Sequence, residues 1–196
     1  MSISPSLEEM QARGFPVGGE PSVAMDLVDT VTHAHTAPTD LMAAGADAWW
    51  TAQSGRLPEW EQPDVAATSR LRTALREVFE ASIDGRAPSD RAVDELNRFA
   101  ESALGSPAIE VVDGAPRMTT HWHIRRDGSP RLAAIAGDAI ALIGDPARRA
   151  QLRRCANPTC SMLFVAENPR RVWCAPNICG NRARVARHQQ RHNAGN

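Results

Sequence analysis

Four cysteines are the residues of this chain best suited to chemistry, and all fall in its last fifth, as Cys155-x4-Cys160 and Cys174-x4-Cys179 with thirteen residues between the pairs. One thiol can sit in any core, but two equally spaced pairs in one segment need a common cause. A single Zn2+ supplies it, because the ion takes four thiolates at about 2.3 Å and each short loop can provide two corners of a tetrahedron. An iron–sulfur cluster accepts the same donors. The segment is poor in core-forming residues, with Leu163, Phe164, Val165, Val172 and Trp173 as its main apolar content, so a unit of this size depends on a metal or disulfides to fold. The spacing predicts a zinc module holding one structural ion through Cys155, Cys160, Cys174 and Cys179. A closed four-thiolate shell leaves no open position for catalysis.

These residues also carry a resemblance. Cys179-Gly180-Asn181-Arg182 spells CGNR and follows Arg170-Arg171 and Trp173-Cys174, an order similar to the CGNR zinc-finger family, bacterial proteins regarded as candidate stress-induced transcription regulators. Glu167-Asn168-Pro169 departs from the acidic residue and Ser/Arg-rich turn more usual there. Upstream, Met25-Asp26-Leu27-Val28-Asp29-Thr30 resembles the opening of the ABATE domain, which commonly precedes such a finger and reads approximately Leu-Asp-Phe-Val-Asn-Thr. Asp29 stands where Asn is more usual. The resemblance implies a transcription regulator whose finger contacts DNA. It also implies a body that senses a small-molecule effector or mediates association, as a homodimer for example.

Charge agrees with a divided chain. From residue 148 onward ten arginines (148, 149, 153, 154, 170, 171, 182, 184, 187 and 191) face one acid, Glu167, whereas the rest carries twelve basic and twenty-two acidic side chains. A basic tail on an acidic body suits a polyanionic partner. In RARVARHQQRH, Arg184, Arg187, His188 and Arg191 share one helical face, and Val185 is the only large apolar residue, so the helix is expected to face solvent or ligand. Arg170, Arg171, Arg182, Arg184, Arg187 and Arg191 are the expected nucleic-acid contacts. The other reading is a zinc-stabilised protein-interaction module that binds no nucleic acid, its arginines meeting acidic protein surface.

Other chemistry has less support. His33-x-His35 and His121-x-His123 could together ligate a second metal, although surface histidines near turns explain them as simply. No P-loop, GxSxG, HExxH or dinucleotide fingerprint occurs, so an enzyme is not expected. With no apolar run of 18 residues, and with Glu8-Glu9 where a signal peptide needs basic residues, a cytoplasmic protein without a membrane span is expected. Disulfides are rare in that compartment, which again favours metal ligation.

The elements that must position these groups are mainly helical. Residues 1–19, rich in glycine and proline, are expected to be a flexible lead-in. Residues 20–147 form the ABATE-like body and 148–196 the finger with its basic helix. A helix starts near Met25, and Thr39-Asp40 is placed to cap another through Trp49-Trp50. The clearest runs from about Pro63 to Ser82, where Leu71, Leu75, Val78 and Phe79 make one apolar stripe. Ser89-Asp90 opens a helix with Val93, Leu96 and Phe99 inside. Ile109–Val112, Asp113-Gly114 and Pro116–Ile124 read as a β-hairpin, and a last body helix spans Arg131–Ile143. The expected class is α+β: a helical domain with a small antiparallel hairpin, plus the four-cysteine module.

Overall fold

The computed structural model describes residues 4–32, 38–125 and 127–193. Its central helix, α4 (Val65–Asp84), follows α1 (Leu7–Ala12), α2 (Val23–Val28), strands β1 (Val31–Thr32) and β2 (Thr39–Asp40), and α3 (Met42–Ala52). Asp64 caps α4 by accepting from the Ala67 N–H at 2.8 Å, and Gly85 ends it at φ +67°. The predicted stripe is the buried face: Leu71, Leu75 and Phe79 are fully inaccessible and Val78 nearly so. Each such side chain contributes about 1.5–3 kcal/mol by leaving water.

Helix α5 (Asp90–Ser102), capped by Ser89, and α6 (Pro130–Gly144), capped by Ser129 with proline in its first turn, pack beside α4. Short α2 is pinned to α6 by Asp138, whose carboxylate accepts from Ser22 Oγ at 2.6 Å and from the Ala24 N–H at 3.0 Å. Between α5 and α6 runs a hairpin of β3 (Ala103–Val112) and β4 (Ala115–Ile124). Asp113 and Gly114 form its turn with φ +52° and +76°, the left-handed pair that a two-residue hairpin turn requires. Helix α7 (Pro146–Arg149) leads to strands β5 (Leu152–Arg154) and β6 (Leu163–Val165), and α8 (Asn181–Asn193) closes the described chain. All three sheets among the described residues are two-stranded and antiparallel.

Three expectations differ from the structure. Strand β3 begins at Ala103, not at the expected Ile109. The lead-in is ordered by packing: α1 carries a reciprocal Ser6–Glu9 capping box, and Met10, Phe15 and Val17 are buried. Gly19 makes this possible, since at φ +75° a β-carbon there would lie 2.3 Å from the Pro5 carbonyl oxygen. Thr39-Asp40 joins β1 in a ladder, and Leu41 takes the helix-cap position without a side-chain bond. Asp40 still accepts the Met42 N–H at 2.9 Å, but its carboxylate is drawn to Arg72, a buried arginine that also donates to Thr30.

Candidate metal centre

The first cysteine pair sits on a knuckle between β5 and β6. Cys155 follows β5, donating its N–H to the Met162 carbonyl at 3.0 Å, and the Cys160 N–H reaches the Asn157 carbonyl at 2.9 Å. The second pair brackets a wide turn, Pro176–Gly180, in which the N–H groups of Ile178, Cys179 and Gly180 all converge on the Ala175 carbonyl. Gly180 lies outside the left-handed region. A β-carbon there would meet the Trp173 indole at 3.4 Å, an ordinary van der Waals contact, and the Gly180 N–H bonds the Ala175 carbonyl, not a thiolate. Asn181 bonds back to the Asn177 carbonyl at 2.7 Å.

The four Sγ atoms lie within 4.8 Å of one another, and Cys160–Cys174 and Cys174–Cys179 are each 3.7 Å apart. Thiolates at about 2.3 Å from a central ion stand about 3.8 Å apart at tetrahedral corners, whereas a disulfide needs about 2.05 Å. All four are free. Hydrogen bonds from Cys160 and then Cys174 pull Cys155 down to about 2, while the contact with Cys155 pushes Cys160 up to about 12 and those with Cys155 and Cys160 push Cys174 up. Sulfurs this close become thiolates together only around a cation, and the donor set fits one Zn2+. Asn157 Nδ2 approaches Cys179 Sγ at 3.6 Å. Val17, Met162, Phe164 and Ala175 pack with the cysteines, so the small core around them is completed by a residue of the N-terminal segment.

Three body carboxylates organise the junction with this module. Asp29 Oδ1 accepts the Leu163 N–H and Glu20 Oε2 the Val165 N–H, both at 3.0 Å, so the free edge of β6 is bonded by side chains. Asp26 accepts from the Gly19 and Glu20 N–H groups, from Gln53 and from Arg56. Burial pushes Asp26 up to about 6 against the pull of Arg56, and raises Asp29 and Glu20 as well. Arg76 spans the junction, bonding Glu80 and the Ser161 carbonyl, with Nη1 4.0 Å from Asp29. Sequence reasoning missed this seam. Its signal was three acids, Glu20, Asp26 and Asp29, amid residues otherwise apolar enough to be core.

Of the arginines expected to meet nucleic acid, Arg170, Arg182, Arg184 and Arg191 are exposed. The backbone places Arg187 on α8; its side chain lies outside the described residues. Arg171 is a correction. All five of its N–H donors are engaged, by Glu20 and the carbonyls of Val165, Trp173 and Cys174. Its guanidinium also lies 4.5 Å from the Phe164 ring centre. It is an internal strut with no donor left for a phosphate.

The remaining candidates separate. His121 and His123 are exposed on β4, His123 lying 2.9 Å from Ser106 Oγ, and no metal-type cluster among the described residues includes them. His33 and His35 lie outside the described residues. Trp49 and Trp50 are core, packed edge to face. A recess of about 680 Å3 opens between α4, α5 and the foot of the hairpin, with Phe99 and Leu132 beside Arg70, Arg98 and Arg125. Among the described residues, no helix is long and apolar enough to cross a membrane.

Among curated proteins, none matches the chain. The CGNR zinc-finger model matches residues 151–192, the cysteine module with most of α8. The ABATE model, described as "Putative stress-induced transcription regulator", matches residues 22–146. With that match spanning the helical body and the finger following it, the chain belongs to the ABATE family.

Proposed function

We propose that the protein is a DNA-binding transcription regulator in which Cys155, Cys160, Cys174 and Cys179 hold one structural zinc ion. The ion fixes the start of α8, and α8 presents Arg182, Arg184, Arg187 and Arg191 to the phosphate backbone, with Arg170 on the neighbouring loop. The observation that carries this is the contrast between arginines. Arg171 is consumed by buried Glu20 and three backbone carbonyls, and Arg76 and Arg72 are turned onto Glu80, the Ser161 carbonyl and Asp40, whereas Arg170, Arg182, Arg184 and Arg191 stand in solvent beside the cysteine cluster. A solvated cationic helix next to a small metal-fixed unit is the footprint expected of a phosphate-binding face.

Residues 20–147 act as the regulatory body and 148–196 as the binding unit, with residues 7–17 clasping the second. The recess between α4, α5 and the hairpin foot has the volume of a small-molecule site, and an effector bound there would act on the same helix, α4, whose Arg76 touches the finger. No catalytic step is assigned. The test is binding of the zinc-loaded chain to genomic DNA fragments at two salt concentrations, beside a chain lacking the residues after Arg148. Retention that falls steeply with salt and vanishes on truncation supports the reading. Salt-insensitive capture of a protein partner with no DNA retained would replace it with the protein-interaction module.

A further inference from the structure

We infer, resting on the DNA contact proposed above, that the groove between α8 and the first cysteine knuckle seats one unpaired base of a DNA strand. The groove holds about 500 Å3 and is lined by residues 157–159 of the knuckle, by Trp173 and by one face of α8. Small-ligand sites fall at about 300–1,000 Å3.

Helical geometry defines the face. At about 3.6 residues per turn, positions 182, 183, 186 and 190 fall within about a 100° arc, and positions 184, 187 and 191 occupy the arc beside it. The groove-lining arc has Ala183 and Ala186 in its middle, with Arg182 and Gln190 at its two ends. A helix face that docks on protein carries large apolar side chains. Here two alanines leave the space open, and the polar groups stand at the rim.

Trp173 supplies a flat surface. It is half-buried, packs against the cysteine core and lies beside Gly180, and its backbone carbonyl accepts from Arg171 Nε at 3.3 Å. The knuckle is held by Asn157, whose Oδ1 accepts from the Thr159 N–H at 3.2 Å and from the Thr159 hydroxyl at 3.0 Å. The groove is thus built before a ligand arrives, which lowers the ordering cost of binding. Stacking on an indole is open to any base, because every base has a π-face.

The occupant follows from charge and shape. The groove lining has one cation, Arg182, and no acid, whereas the recess between α4 and α5 mixes its arginines with Asp64, Glu95, Glu101 and Asp127. A planar ring tethered to an anion fits the groove: the ring against Trp173, its polar edge met by the donor and acceptor of the Gln190 amide, and its phosphate met by Arg182. The exposed Arg184 and Arg191 on the adjoining arc favour a strand over a free nucleotide, since they are placed for flanking phosphates. A paired base cannot enter, because a duplex offers only base edges. The ring must come from an opened strand or a nucleotide turned out of the stack.

The experiment is fluorescence anisotropy of the full zinc-loaded chain with labelled DNAs of one sequence: a perfect duplex, the duplex with one bulged adenine, and the same bulge made abasic. The two bulged DNAs share backbone and charge, so their difference reports the base alone. The adenine bulge is expected to bind about tenfold tighter than the abasic one. Ala186→Leu fills the groove and should bring that ratio close to one. Ala186 is exposed, so zinc content and helical circular dichroism should stay unchanged, as should the salt slope on the perfect duplex. Val185→Leu, an enlargement on another face of α8, should keep the ratio. Equal binding of the two bulged DNAs, a ratio that survives Ala186→Leu, or one lost in Val185→Leu overturns the base seat and leaves the DNA contact standing. Binding to none of the DNAs at low salt overturns the DNA contact and the seat with it.

Discussion

Glu20 and Arg171, 151 residues apart in sequence, meet as a hydrogen-bonded ion pair at 2.5 Å, with the Glu20 side chain only 7% exposed. Removing the guanidinium leaves that carboxylate buried without its cation and three carbonyls without their donor. Arg171→Ala should therefore cost about 3 kcal/mol of stability, read from denaturant unfolding with zinc present. Arg171→Lys restores one charge without the planar fork and should recover less than half of the loss. A loss below about 0.5 kcal/mol would show that the pair contributes no more than a surface contact.

Cys174→Ser should lower bound zinc from one per chain to well below it. Sequence alone predicts that only the tail then unfolds. The hydrogen bonds of Asp29 and Glu20 to Leu163 and Val165 predict more: the body should also unfold at lower denaturant. Fluorescence of buried Trp49 and Trp50, in a Trp173→Phe background, reports on the body. Unchanged zinc would sink the ligand assignment, and an unchanged body midpoint would sink the coupling.

Asp29 occupies a place where the ABATE signature more often has Asn. Burial drives its carboxyl well up, while its bond to the Leu163 N–H pulls the other way. An amide keeps that acceptor and sheds the desolvated charge. Asp29→Asn should therefore be neutral or stabilising by about 1 kcal/mol at neutral pH, whereas Asp29→Ala, which orphans the N–H, should destabilise by about 1–3 kcal/mol. Paired thermal melts decide between them.

Asp26 gives a pH signature. Its folded-state value near 6 lies above the ordinary 3.8, so the folded chain holds a proton that the unfolded chain has released. The corresponding stability is present below about pH 4 and is lost as pH rises through 6, a swing on the order of 3 kcal/mol. In Asp26→Asn that component should vanish. The difference between wild-type and variant unfolding free energies at pH 4.5 and pH 7 isolates it from the other carboxylates, and equal differences at both pH values would refute it.

For DNA, contact with about five phosphates predicts a log–log salt slope near −4 to −5, and each of Arg182→Ala, Arg184→Ala and Arg191→Ala should reduce its magnitude by about 0.9. Arg170→Ala should do the same. Affinity measured at three salt concentrations per variant checks this, and an unchanged slope in all four would remove α8 from the interface.

The parts legible in the sequence were those set by local rules. Helices α4, α5 and α6 follow from apolar stripes bounded by Asp64, Ser89, Ser129 and Gly85, and the cysteine cluster follows from spacing alone. The hairpin was read too short because Gly105 and Pro107 look like breakers. Yet Pro107 points its missing N–H outward, and Gly105 lies against the Thr120 and Trp122 side chains. Arg171 was misassigned for a different reason. Whether an arginine faces solvent or closes on a carboxylate 151 residues away is a property of tertiary contact, and charge counting sees the two as equal. The Glu20–Asp26–Asp29 seam was hidden likewise, since carboxylates at such positions read as helix caps or surface until the strand edge they bind is in place.

The two carboxylates that take up the edge of β6 have a consequence for the order in which the molecule is made. Glu20 and Asp29 are synthesised 145 and 134 residues before the N–H groups they accept. A growing chain thus carries its helices out of the ribosome with this acidic seam still open to water. Closure waits for the finger, and the metal is captured only after Cys179 has emerged. Zinc supply during translation therefore bears on the maturation of the whole protein, its helical half included.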